Sequence, residues 1–529
     1  MPQPADVVIT GADVYRVDEA RSWASAVAVR GDRIVAVGSD EDVRELVGPA
    51  TEHQHLPGRM VLPGFQDAHV HPPFAGLDRL RVSLHDDGSR SAYLDRIGRY
   101  AREHPDAEWI TGGGWAMEHF PGGLPVKEDL DAVVGDRAVF LFNRDVHGAW
   151  LSSRALQLAG ITRGTPDPPS GRIERDAAGE PTGMLHEGAA YALRDSLLPV
   201  PSAQEWQAAT LDAQAHLHAL GITGWQDAWV TPDTEAAYRA LAAAGTLTAR
   251  VVGALWWERS RGLEQIPELV QRRAAGAAAG FHPTTVKIMV DGVLENYTGA
   301  LLEPYCDGCG GTSDNRGLDF VPPPLLGEAV TELDRLGFQV HFHAIGDRAV
   351  RNSLDAVQRA LEANGRRDGR HHIAHLQLVD PADLPRFREL GVAANLQTYW
   401  AQSDPQLEEL TRPFVGPERM RAMYPFGDLH RTGAVLAMGS DWAVTTADPL
   451  RQLEVAVRRL PCGEEGEPFL PEQRLTLATA LAAFTAGSAH VNGDDEAGSL
   501  QVGRRADLVA VDRDLFACPD GKVVHRSPA

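Results

Sequence analysis

Eight short apolar runs, separated by helical patterns and closing on polar or turn residues, constrain this chain more than any other feature. One ends at His69; the others cover Gly221 to Asp227, Ala249 to Trp256, Thr284 to Val290, Phe338 to His343, His371 to Leu376, Val392 to Leu396 and Ala434 to Gly439. Runs of four to eight apolar residues between helical stretches such as Trp206 to Leu220 predict buried parallel strands joined by crossover helices. Eight is the number that closes a (β/α)8 barrel, so the fold class is α/β.

A length of 529 residues exceeds what one barrel needs. Residues 1–61 alternate apolar and polar positions, as in Ala26-Val27-Ala28-Val29, and residues 490–529 return to that pattern in Leu508-Val509-Ala510-Val511. Together they predict a small β-sandwich domain built from both chain ends, flanking a barrel domain of residues 62–489. Residues from about 74 to 200 are too many for one barrel loop and predict a lobe inserted after the first strand, over the barrel mouth.

The ends of the runs carry the chemistry. In Pro63-Gly64-Phe65-Gln66-Asp67-Ala68-His69-Val70-His71 the two histidines stand at i and i+2, so an extended backbone aims both from one face toward a shared metal ion. His343 and His375 close two further runs, and Asp441 follows another in Gly439-Ser440-Asp441-Trp442. Lys287 is more unusual. Among 50 basic residues, lysine occurs only at Lys127, Lys287 and Lys522, yet Lys287 lies inside an apolar strand. Arginine cannot supply a neutral amine. One use for such an amine is reaction with carbon dioxide to give a carbamate, an anionic oxygen donor able to bridge two metal ions; an ion pair with Asp291 is the structural alternative.

The stretches PGFQDAHVH, RDVHGAWLSSRALQLAGI, SGRIERDAAGEPTGMLHEGA, VKIMVDG, HFHAIGDRAV, HHIAHLQLVDP, GSDW and GSLQVGRRADLVAVD run nearly end to end. In kind and order they resemble the amidohydrolase superfamily, in the large amidohydrolase group that includes N-substituted formamide deformylases. The resemblance implies divalent metal held by His69, His71, carboxylated Lys287, His343 and His375, with Asp441 as both metal neighbour and acid/base. Ala374 and Gln66 depart from the pattern at positions beside the ligands, which bears on substrate more than on chemistry. Two ions bridged by the lysine carbamate and a hydroxide would activate water for hydrolysis of an amide-type C–N bond, in an N-substituted formamide or N-acyl amine. With the lysine unmodified, one ion would suffice. Zinc is the expected metal, and iron, manganese or cobalt suit the same donors. Decarboxylation, isomerisation, cyclic amide or amidine hydrolysis, and a non-catalytic binding role remain alternatives on the same scaffold.

His147 is the candidate to bind the substrate carbonyl or its transition state. Trp115, Trp150, Trp229, Trp256, Tyr399 and Trp442, with His119, are candidates to line a pocket for a small-molecule substrate with an apolar or aromatic portion; packing the lobe onto the barrel is the competing use of the rings. A net charge of −23 argues against nucleic acid and anionic membrane surfaces as partners. Four cysteines do not make a disulfide framework, and Cys306 with Cys309 predicts a loop after the Lys287 strand. A cytoplasmic homodimer is expected.

Overall fold

The computed structural model describes residues 3–85, 87–168, 170–308, 310–518 and 521–523. Eight strands form one parallel sheet in chain order: β1 (Phe65–Val70), β2 (Ile222–Val230), β3 (Arg250–Trp256), β4 (His282–Met289), β5 (Gln339–Ala344), β6 (His372–His375), β7 (Ala393–Leu396) and β8 (Leu436–Met438). Each lies within two or three residues of an apolar run read from the sequence. The sheet curls into a barrel, and two backbone hydrogen bonds join its ends. The Asp441 amide donates to the His69 carbonyl at 2.7 Å, and the His71 amide donates to the Trp442 carbonyl at 2.8 Å. Gly439 makes that closure possible, because a Cβ there would stand 2.6 Å from the His69 nitrogen.

The register across β4 to β6 fixes which side chains meet. Lys287 lies opposite His341, Met289 opposite His343, and Ala344 opposite His375. Below the barrel mouth the interior is polar and paired: Gln226 accepts from the rings of His341 and His372 at 2.8 and 3.0 Å, and Asn395 bonds the Ala68 carbonyl at 2.9 Å. A buried polar layer whose members are mutually satisfied rigidifies what stands above it.

Two four-stranded sheets form the sandwich. One runs Arg33–Gly38, Ala26–Arg30, Val7–Thr10, Glu52–His55; the other runs Leu508–Val511, Met60–Pro63, Asp13–Tyr15, Trp23–Ala24, so both chain ends contribute. Ile9, Val14, Val27, Ile34 and Val61 fill the space between them.

After β1 a helix, Pro72–Arg79, packs so closely on helix Ala203–Ala219 that a Cβ on Gly76 would overlap the Ala209 carbonyl. Between these helices lies the inserted lobe. Its six-stranded mixed sheet runs Gly171–Arg175, Pro181–Glu187, Gly148–Leu151, Ala138–Asn143, Trp109–Trp115, Val82–Ser83. No helix among the described residues is long and apolar enough to cross a membrane.

Candidate metal centre

All six side chains expected at the centre come together at the C-terminal ends of the barrel strands, the end where barrels of this kind carry their active sites. His69, His71, Lys287, His343, His375 and Asp441 line one cavity of about 1020 Å³. Asp441 is its hub. One of its oxygens stands 3.2 Å from His69 Nε2 and 3.1 Å from His71 Nε2; the other is 4.0 Å from His375 Nδ1. The ligand atoms of His69, His71 and Asp441 all lie within 4.8 Å of one another, a spacing that one ion can span. The rings of His343 and His375 are 4.4 Å apart, and those of His69 and His375 4.8 Å.

The backbone works to hold this set. His375 and Asp441 both occupy left-handed conformations, with φ of 79° and 56°, which side chains other than glycine seldom adopt. The Gln397 side chain accepts the His375 amide at 2.6 Å, and the buried Asp67 carboxylate accepts the amides of His69 and Ser440, each at 3.0 Å. Asp67 thereby ties β1 to the turn that carries Asp441.

Protonation suits metal binding. Burial, reinforced by neighbouring positive charge, holds His69, His343 and His375 well below the ordinary imidazole range, so each presents a neutral nitrogen. Burial raises Asp441, but the hydrogen bond that it accepts from His71, together with the field of the surrounding basic groups, outweighs burial and keeps the carboxylate ionised. Burial also lowers Lys287 to about 7, which makes its amine available in neutral form. Neutral imidazoles around a carboxylate, with a neutral amine alongside, are a donor set that fits a divalent cation.

His147 enters from the lobe. Its Nδ1 pairs with Glu187 Oε1 at 3.0 Å, and that oxygen also accepts the Thr298 hydroxyl at 2.8 Å. Burial depresses the His147 pKa, yet the Glu187 charge and hydrogen bond prevail and raise it to about 9. His147 therefore faces the centre as a cation, its ring 5.6 Å from that of His343.

Of the expected pocket residues, Trp229 and Trp256 line the cavity. Trp115 and Trp150 do not. Both are fully buried in the lobe, with indole nitrogens donating to the carbonyls of Leu141 and Val126, and His119 packs against Tyr93 there. Tyr399 is held by Arg451 at 3.0 Å, and Trp442 packs on His216 with ring centroids 4.7 Å apart; neither is among the residues lining the cavity. Asp227 and Asp291 brace backbone: Asp227 accepts the Trp229 amide at 2.9 Å, and Asp291 accepts three amides, from Ala300, Ile345 and Gly346. Cys306 lies in the long segment after β4, with its sulfur 3.8 Å from Arg419, and Cys309 lies outside the described residues.

Two participants escaped the sequence reading. Glu187 was one carboxylate among 73, inside the GMLHEGA stretch but without an assigned partner. His341 bonds His69 Nδ1 at 2.9 Å and stands 3.4 Å from Lys287 Nζ, so it orients one imidazole and borders the lysine. The alternation of His341 and His343 on one strand was the available signal, since both rings leave β5 on the barrel side.

A closed parallel barrel with this donor set at its mouth defines a metal-dependent hydrolase. The backbone superposes on an uncharacterized metal-dependent hydrolase from Pyrococcus furiosus, with a TM-score of 0.72 and 25% identity over 96% of this chain and 99% of that one. The fold is shared also with a metal-dependent hydrolase from Pyrococcus horikoshii OT3, at a TM-score of 0.75 and 24% identity over 98% and 100% of the two chains. Residues 55–527 match the model of the amidohydrolase family, and the chain belongs to that family. It is 29% identical to an N-substituted formamide deformylase of Arthrobacter pascens over 99% of this chain and 96% of that protein. It is likewise 29% identical to Protein LONG AFTER FAR-RED 3 of Arabidopsis thaliana, over 96% and 87%.

Proposed function

We propose that the chain hydrolyses an amide-type carbon–nitrogen bond, in an N-substituted formamide or an N-acyl amine, to a carboxylate and an amine. The observation that carries this reading is the pairing, across one cavity, of the ionised Asp441 among neutral imidazoles with the cationic His147. His69, His71 and Asp441 would hold a divalent ion, zinc in our reading, and His343, His375 and a carboxylated Lys287 would hold a second. Such an ion supplies Lewis acidity and lowers the pKa of water near it.

The chain's own groups account for the remaining needs. His147 donates to the carbonyl oxygen as that oxygen gains charge. Asp441 takes the proton of the attacking water and delivers it to the leaving nitrogen, so one water is consumed and one C–N bond is broken. Trp229 and Trp256, with ring centroids 5.4 Å apart, and Phe74, stacked 4.3 Å from Trp229, offer an apolar wall for an aromatic or alkyl portion. The similarity to a formamide deformylase supports the same substrate class.

Protein stripped of metal and reloaded with zinc should release amine from at least one member of a panel of N-formyl and N-acyl arylamines, and lose that activity on chelation. Tight zinc binding without amine release from any of them would overturn the assignment. The carbamate has its own check. Bicarbonate should raise the metal content of wild-type protein prepared free of carbon dioxide, while Lys287→Met should bind metal about 10–100-fold more weakly and ignore bicarbonate. Wild-type metal content that does not respond to bicarbonate would remove the carbamate.

A further inference from the structure

The cavity has two arms that meet at His147, Asp145 and Asp441. The wide arm carries Trp229 and Trp256. The narrow one runs the other way, beneath the segment after β7, and its walls are of a different kind. Asp145, Glu295 and Asp404 converge there, and no lysine or arginine lines it. Each carboxylate is pinned by a donor: Asp145 by the His147 amide at 3.0 Å, Asp404 by the Leu407 amide at 2.9 Å, and Glu295 by the Thr411 hydroxyl at 2.5 Å. Arg144, the cation whose field reaches Asp404, is 3.6 Å from Glu118, which adds its own negative charge.

Tyr424 is an independent pointer to a ligand. It is 95% buried and lines the same arm, in the electrostatic reach of Glu295 and Asp404, and its hydroxyl has no hydrogen-bond partner among the described residues. A hydroxyl with no protein partner beside such a cavity can accept a hydrogen bond from a bound donor. Burial and mutual repulsion push Glu295 up and Asp404 to about 6, with Arg144 the cation that opposes the rise at Asp404 and His147 the one that opposes it at Asp145. Trp400 adds an aromatic wall, a surface that attracts cations. The free space, about 60 Å³, is well below the ~150 Å³ of a cavity that holds benzene.

We propose that the narrow arm is a subsite for a primary ammonium group of the substrate, carried on a short alkyl chain and bound by Asp145, Glu295 and Asp404 with the Tyr424 hydroxyl as a further acceptor. The inference rests on the hydrolytic reading of the centre and specifies its substrate class. The scissile amide lies at the junction, the aromatic portion fills the wide arm, and the amino group fills the narrow one.

Matched anilides test this on the zinc-loaded enzyme: 3-aminopropananilide against butananilide, and 4-aminobutananilide against pentananilide, each pair alike in length and differing in charge. At least one amino compound should exceed its neutral partner in kcat/KM by about tenfold or more, the scale of one close charge pair. The ratio should fall toward one in Glu295→Gln and Asp404→Asn. Calorimetric binding of the same pairs to the wild type gives a readout free of turnover and of any folding defect in the variants. Binding that favours the amino compound without hydrolysis would overturn the amidase reading and keep the subsite. Hydrolysis or binding with equal preference, or a preference that survives both substitutions, would overturn the subsite.

Discussion

Asp441→Asn should leave a folded protein that still takes up metal and turns over about 10²–10⁴-fold more slowly, the range for loss of a positioned proton-transfer group. The amide keeps the shape of the carboxylate, and the barrel seam depends on the backbone amide of residue 441 rather than its side chain. What disappears is the negative charge. In the wild type that charge stands within 3.2 Å of two imidazole nitrogens and 4.0 Å of a third. Because Asp441 also sits within ligand distance of His69 and His71, metal content and turnover must be measured on the same sample. Metal retained with turnover lost assigns Asp441 to proton transfer. Metal lost in proportion to turnover makes it chiefly a ligand and leaves proton transfer to another group. Full activity in the variant would reject both roles.

The barrel was legible because parallel strands buried on both faces leave uninterrupted apolar runs, a signal that survives without knowledge of neighbours. The residues of the candidate metal centre stood out in the sequence for a related reason. Each interrupts or terminates such a run with a group that is costly to bury, and Lys287 does so in a chain that otherwise uses arginine. The lobe was legible only as surplus length. Its parallel and antiparallel strands are short, and Gly112 and Gly114 sit inside one of them, at φ of 152° and 98°, where a strand pattern is weakest.

The tryptophans mark a harder limit. A large ring signals that something packs on it but not whether the partner is protein or ligand, so Trp115 and Trp150 looked no different in sequence from Trp229 and Trp256. Only tertiary structure separates the lobe core from the cavity wall. Glu187 and His341 illustrate the same gap among polar groups. Their roles come from partners 40 and 272 residues away, and local spacing carries no trace of those pairings. The acidic arm is of this type too, since Asp145, Glu295 and Asp404 belong to three separate segments.

Removing His147 should cost about 10²–10³-fold in kcat, as expected for a donor aimed at a developing oxyanion, and its pairing with Glu187 predicts the pH dependence. The folded-state pKa of about 9 lies above the ordinary imidazole value because the Glu187 charge and hydrogen bond outweigh burial. The donor form is therefore present through neutral pH and is lost as pH rises through about 9, which should appear as a basic limb in kcat/KM. The stability that the pair contributes has the same sign: complete below the pKa of an unfolded histidine and gone once pH passes the folded value. Glu187→Gln removes the largest of the influences that hold the proton and leaves burial opposed only by the charges of Asp145 and Asp441. The basic limb should then move to lower pH, and activity at neutral pH should fall even with metal fully bound. His147→Ala should lack the limb altogether. A basic limb that stays in place in Glu187→Gln would show that another group titrates there, and the assignment of His147 as the carbonyl donor would fail with it.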